Sequence, residues 1–94
     1  MENYQDYLME NLEQLDKFTR VVAKVHGENH PELHVVRATF LQMKDAVETT
    51  PTADLRIYLN KIATITKNYT LPNDACQTYA ATYELLKKAS ELAQ

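Results

Sequence analysis

The segment Tyr4–Gly27, YQDYLMENLEQLDKFTRVVAKVHG, decides the fold class. Apolar side chains recur in it every three or four residues, which places them on one side of an α-helix of about six turns. This stripe consists of Tyr4, Leu8, Leu12, Leu15, Phe18, Val22 and Val25. Gly27 is the only glycine in the chain, and glycine commonly ends a helix. We therefore predict a first helix over residues 2–26.

Three prolines, Pro31, Pro51 and Pro72, divide the rest of the chain into similar pieces. Proline is well tolerated only in the first turn of a helix, so each of them is expected to precede or begin one. Each piece repeats the helical period with its own apolar stripe: Leu33, Val36, Phe40, Met43 and Val47; Leu55, Tyr58, Leu59, Ile62, Ile65 and Tyr69; and Cys76, Tyr79, Ala80, Tyr83, Leu86 and Ala89. The rest of the chain is therefore predicted to be helical as well.

The predicted second, third and fourth helices cover residues 31–48, 52–69 and 73–93. Thr50 or Thr52 is the expected N-cap of the third helix, and Asn73 that of the fourth. Amphipathic helices joined by short connections turn back on one another, which predicts a single all-α domain over residues 1–94 with an up-down-up-down four-helix bundle. The alternative is a three-helix core with a mobile or partner-bound fourth helix.

Composition excludes several classes of protein. The formal charge of −3 and the interleaved positive and negative side chains give no basic patch, so nucleic acid is not an expected partner. Apolar runs do not exceed three residues, so no membrane span is expected. The single cysteine cannot form an internal disulfide, and the amino terminus lacks the pattern of an export signal. A cytoplasmic protein is therefore expected.

All three histidines, His26, His30 and His34, fall in one short segment at a spacing of four residues. This spacing would put them on one face of a continuous helix, but Gly27 and Pro31 interrupt the helix between them. A transition-metal site also requires three or four convergent ligands. We therefore interpret His30 and His34 as capping or surface residues rather than metal ligands.

Cys76 is a candidate reactive thiol, because the start of a helix can activate cysteine. Its place on the apolar stripe favours a buried, inert side chain instead. No glycine-rich phosphate loop, Ser/His/Asp arrangement or Cys-x-x-Cys pair is present, and the acidic side chains fall beside or outside the apolar stripes. We therefore expect no enzyme activity.

Two stretches carry a resemblance to a known family. The first is VAKVHGENHPEL, Val22–Leu33, and the second is PNDACQTY, Pro72–Tyr79, followed by YELLK at Tyr83–Lys87. Together they resemble the hemerythrin-like domain of the iron–sulfur cluster repair (Ric) di-iron proteins, whose first connection reads V-x-[RK]-V-H-G followed by H-P-E-L. The resemblance implies a hemerythrin-like bundle that holds a non-haem di-iron centre and takes part in repairing clusters damaged by oxidative or nitrosative stress.

Only one of the ligands implied by this resemblance is present. His26 matches a family ligand, whereas Gln5 stands where the first ligand histidine would be. The segment Thr49–Thr52 has no histidine in place of the family's His-x-x-x-Glu, and the ligand of the third helix would fall near Thr52. The last His-x-x-x-Glu would fall beyond Gln94. One matched ligand cannot hold two irons, so we expect no cofactor.

The resulting prediction is a non-catalytic, metal-free relative of the repair proteins that acts as a structural or protein-interaction module, as a homodimer or with another protein. The alternative is a metal-binding or redox protein of the stress-response type, with an iron site shared between chains around His26, His30 and His34. A thiol sensor that uses Cys76 is a third possibility.

Overall fold

The computed structural model describes residues 3–94, and over that range the protein is all-helical, as predicted. The helices are α1 Tyr4–Glu10, α2 Leu12–His26, α3 Glu32–Thr49, α4 Arg56–Ile65 and α5 Gln77–Leu92. None of them is both long enough and apolar enough to cross a membrane, as far as the described residues reach.

The helices enclose one apolar core. Helix α2 packs on α3, α3 on α4, α4 on α5 and α5 on α2, while α1 lies against α2 and α5. All five predicted apolar positions of α3 are buried, with Phe40 and Val47 fully so.

Arg37 links α3 to α2 through hydrogen bonds. Its Nη1 donates to the backbone oxygen of Asp16 at 2.8 Å and to the hydroxyl of Thr19 at 3.0 Å. A third bond from the same nitrogen reaches the Asp16 carboxylate at 2.6 Å.

The first predicted helix, residues 2–26, is interrupted at Asn11, so the prediction of one continuous helix is wrong at that residue. Asn11 has φ −108° and ψ 11°, and its side-chain amide donates to the carbonyl oxygen of Tyr7 at 2.8 Å. Asparagine side chains compete with the backbone for hydrogen bonds in this way. The chain nevertheless continues in nearly the same helical path, because the Leu15 N–H still donates to the Asn11 oxygen at 2.9 Å. Residue 2, the predicted start, lies outside the described residues.

The third predicted helix, residues 52–69, begins later than expected, at Arg56. Neither Thr50 nor Thr52 caps it. The carboxylate of Asp54 accepts a hydrogen bond from the Arg56 N–H at 3.1 Å, and the hydroxyl of Tyr4 accepts one from the buried Leu55 N–H at 2.9 Å. The Arg56 guanidinium beside Asp54 holds the pKa of that carboxyl well below its usual range. A contact from α1, invisible in the local sequence, therefore organises the start of α4.

The same helix also ends earlier than predicted, at Ile65, because three consecutive residues adopt positive φ. Lys67, Asn68 and Tyr69 have φ of 52°, 58° and 62°. Left-handed backbone costs roughly 1–2 kcal/mol per non-glycine residue, and runs of it are rare. The turn is held by the Asn68 N–H, which donates to the Ala63 oxygen at 2.7 Å, and by the buried side chain of Tyr69.

Relief of this strain should be measurable. Lys67→Gly is expected to raise the free energy of unfolding by about 1 kcal/mol, because glycine adopts positive φ without steric cost. Lys17→Gly, at an exposed position inside α2, is the matched control and should lower it by about 1 kcal/mol. Urea denaturation measures both. An equal loss for the two variants would contradict a left-handed Lys67.

The fourth predicted helix, residues 73–93, corresponds to α5 but begins at Gln77 rather than Asn73. Residues Pro72 to Ala75 form a turn in which the Ala75 N–H donates to the Pro72 oxygen at 3.2 Å, so Asn73 is not the N-cap. Cys76 precedes the helix with extended backbone, φ −84° and ψ 176°. The second helix, predicted over residues 31–48, matches α3 to within one residue at each end.

Candidate functional site

Five aromatic side chains meet where the end of α2 and the start of α3 approach the start of α5. The ring of Tyr79 lies 5.1 Å from that of His26, 6.0 Å from that of His30 and 5.0 Å from that of Tyr83, measured between centroids. Tyr69, in the left-handed turn, lies edge-on to Tyr83 at 6.0 Å. We call these five residues the histidine–tyrosine cluster.

Two polar atoms of this cluster are buried without a hydrogen-bond partner among the described residues. They are Nε2 of His26 and the hydroxyl of Tyr79. The Tyr83 hydroxyl is close enough to lower the pKa of Tyr79, but the two hydroxyls are not oriented to form a hydrogen bond. Buried polar atoms in native proteins usually have a protein or water partner, so this pair stands out.

Burial dominates the proton affinity of the three tyrosines. Loss of solvent raises the pKa of Tyr69, Tyr79 and Tyr83, because a buried tyrosinate lacks hydration. The neighbouring Tyr79 raises the pKa of Tyr83 further, and the negative charges of Glu32 and Asp74 add to the increase at Tyr79. These hydroxyls therefore remain neutral and cannot act as bases near neutral pH.

His30 links two connections of the chain instead of facing a common ligand point. Its Nε2 lies 2.9 Å and 3.1 Å from the two carboxylate oxygens of Asp74, and its Nδ1 lies 3.7 Å from Glu32. The hydrogen bond from His30 lowers the pKa of the Asp74 carboxyl. The contact ties the α2–α3 connection to the α4–α5 connection.

His34 makes a third, different contact. Its ring covers Gly27, and a Cβ added at Gly27 would meet the His34 Cε1 at 2.7 Å. Gly27 has φ −63°, so glycine is not needed there for a left-handed backbone. It is needed because a Cβ would also meet the backbone oxygen of Ala23, which cannot move aside as the exposed His34 ring can. Within residues 3–94, no three histidine, cysteine, aspartate or glutamate side chains converge to hold a metal ion.

The residues present do not fit the di-iron centre implied by the sequence resemblance. His26 packs against Tyr79, and Gln5 donates from Nε2 to the backbone oxygen of Ala53 at 3.1 Å. Thr52 is exposed in the turn before α4. The matched positions therefore supply one imidazole, one amide and one hydroxyl. They lack the carboxylates that bridge two irons in helical bundles.

Cys76 is exposed, so the expectation of a buried cysteine is wrong. The buried stripe of α5 begins at Tyr79, and Cys76 lies about one turn before it. The side chain therefore lies on the surface at the residue before the helix.

The sequence reasoning missed a groove between α1–α2 and α5. It encloses about 550 Å³ and has an apolar floor formed by Tyr7, Phe18, Ala81 and Leu85. Charged side chains including Glu84, Lys88 and Glu91 border it, and the ammonium of Lys88 lies 5.0 Å from the ring centre of Tyr7. The helical period predicts Phe18 on the buried stripe of the first helix, but the structure leaves it half-buried in the groove.

The chain matches no protein-family model, and no solved structure matches it.

Proposed function

We propose that this chain is a non-catalytic, metal-free relative of the iron–sulfur cluster repair proteins and acts as a protein-interaction module. In this proposal it has the hemerythrin-like, up-down-up-down arrangement, with α1 and α2 together as the first helix of the bundle. The circular order of contacts, α2–α3–α4–α5 and back to α2, supports that arrangement.

The observation that carries the proposal is the role of Gln5. At the position matched to a ligand histidine, this side chain bridges α1 to the connection before α4 through the Ala53 carbonyl. The neighbouring Tyr4 hydroxyl reaches the Leu55 N–H in the same connection. A position matched to metal binding thus serves to hold two parts of the fold together.

The surface supports binding to protein rather than chemistry on a small molecule. The groove over Phe18 and Leu85 is open and mixes apolar and charged side chains, as protein-binding surfaces do. No polar group of the histidine–tyrosine cluster is paired as a nucleophile with a base.

A second candidate is a metal or redox site shared between chains around His26. The unpartnered Nε2 of His26 favours it, because a buried imidazole nitrogen without a hydrogen bond has its lone pair or proton unused. If replacing His26, His30 and His34 together left both metal content and oligomeric state unchanged, this candidate would be abandoned.

Metal analysis tests the main proposal. Protein purified from iron-supplemented cells is expected to hold far less than one iron per chain, and its absorption should lack oxo-bridged bands. The His26→Ala variant is the matched control and should have the same low iron content. About two irons per chain or per dimer, lost in His26→Ala, would contradict the proposal.

A further inference from the structure

We propose that the face formed by α2 and α5, over the groove, is the interface for a second copy of this chain, in a two-fold dimer. This deepens the proposed function and rests on it, because it names the surface and the partner of the interaction module. The occupant of the groove in this proposal is the same face of the partner subunit.

Helix α2 carries a second apolar stripe that does not face the core. Phe18, Val21 and Val25 follow one another in steps of three and four residues, and Gln14 and Asn11 continue the series in the other direction. Val25 is 65% exposed, while Phe18 and Val21 are half-buried. Alternating steps of three and four are the spacing by which one helix packs its side chains between those of another.

Helix α5 carries a matching stripe on the same side of the molecule. Ala81, Leu85, Lys88 and Leu92 follow one another in steps of four, three and four residues. Leu85 is half-buried and Leu92 is 37% exposed. Phe18 of the first stripe and Ala81, Leu85 and Lys88 of the second line the groove of about 550 Å³, so the surface offers a recess as well as projecting side chains.

The order of charges on α5 indicates which partner fits. Along the edge of the groove, Glu84, Lys87, Lys88 and Glu91 carry negative, positive, positive and negative charges. This mixed edge selects neither a basic nor an acidic peptide. It does match its own reversed copy: when two α5 helices cross antiparallel at the level of Leu86, Glu84 faces Lys88 of the partner subunit, and the symmetric pair forms as well.

The same register places the remaining charges favourably. Glu91 then falls opposite the small Ala81 of the partner subunit, so no like charges oppose each other among these residues. Lys88 is already positioned over the Tyr7 ring in the groove, with its ammonium 5.0 Å from the ring centre. Its charge is therefore held over the groove, where the partner carboxylate would meet it.

Sedimentation equilibrium of the full chain, with circular dichroism to verify folding, tests the proposal. The wild type is expected to reach twice the 10.8 kDa chain mass at high protein concentration. Lys88→Glu should weaken the dimer by about tenfold or more, because two attractive pairs become repulsive. The double variant Glu84→Lys/Lys88→Glu restores opposite charges and should recover most of the affinity.

Ile57→Glu is the control for a general effect of surface charge, because Ile57 is 73% exposed on α4, away from this face. It should leave the dimer unchanged. A wild type that stays monomeric while binding no iron would overturn the dimer but leave the metal-free module intact. Iron binding would overturn the proposed function separately. A dimer that responds equally to Ile57→Glu and Lys88→Glu, or is not rescued by the charge swap, also refutes this interface.

Discussion

Above about pH 10, the folded protein is expected to lose stability steeply, by at most about 4 kcal/mol for each further pH unit. Tyr69, Tyr79 and Tyr83 are buried, and burial raises the pKa of each above its ordinary value. In the unfolded chain these phenols release their protons near pH 10, whereas in the folded chain they retain them.

The sign follows from proton binding. Above about pH 10 the native state binds more protons than the unfolded state, so rising pH favours unfolding. Each such group contributes about 1.4 kcal/mol per pH unit at most, and its stabilising effect is complete below that pH. Given a total stability of about 5–15 kcal/mol for a domain of this kind, alkaline unfolding should be complete within a few pH units.

Tyrosinate absorbance and helical circular dichroism, followed together during alkaline titration, provide the measurement. Ionisation of the three cluster tyrosines should coincide with loss of helix. Tyr79→Phe should reduce the pH slope by about 1.4 kcal/mol per unit. It should also raise stability at neutral pH by about 1 kcal/mol, because it removes a buried hydroxyl that lacks a partner. Full ionisation of all six tyrosines with the helices intact would contradict this account.

The helices were predictable where a single local signal decides their position. In α3, proline at the start and an unbroken apolar period gave the correct range and the correct buried residues. The ends of α4 were not predictable, because Tyr4 and Asp54 organise its start through a contact some 50 residues apart in sequence. Its end depends on a left-handed turn over Lys67, Asn68 and Tyr69. Of these three residues only Asn68 is of a type that favours positive φ, so the sequence does not predict the turn.

The histidines could be singled out as candidates from the sequence, but the tyrosines that lie beside them and the arrangement of the cluster could not. The spacing of His26, His30 and His34 suggested a common role, and the interruption by Gly27 and Pro31 correctly argued against a shared helical face. The helical period could not predict that each histidine has a different contact. His26 lies against Tyr79, His30 is hydrogen-bonded to Asp74, and His34 covers Gly27.

The chain contains two phenylalanines, one in the core and one in the proposed interface, so substituting each in turn tests the two regions separately. Phe40, on α3, is fully buried, whereas Phe18, on α2, is half-buried in the groove. Phe40→Ala is expected to lower the free energy of unfolding by about 3–5 kcal/mol, because the loss of apolar contacts and the resulting cavity both destabilise the native state. This is a large part of the stability of a chain this small.

Phe18→Ala is the matched control, since it makes the same chemical change at a partly exposed position. It should cost markedly less stability than Phe40→Ala when both are compared by urea denaturation at low protein concentration, where the dimer does not contribute. It should, however, weaken self-association by about tenfold or more, because it removes an apolar side chain from the centre of the face. If Phe18→Ala were as destabilising as Phe40→Ala and left self-association unchanged, Phe18 would belong to the core and the α2/α5 face would not be the interface.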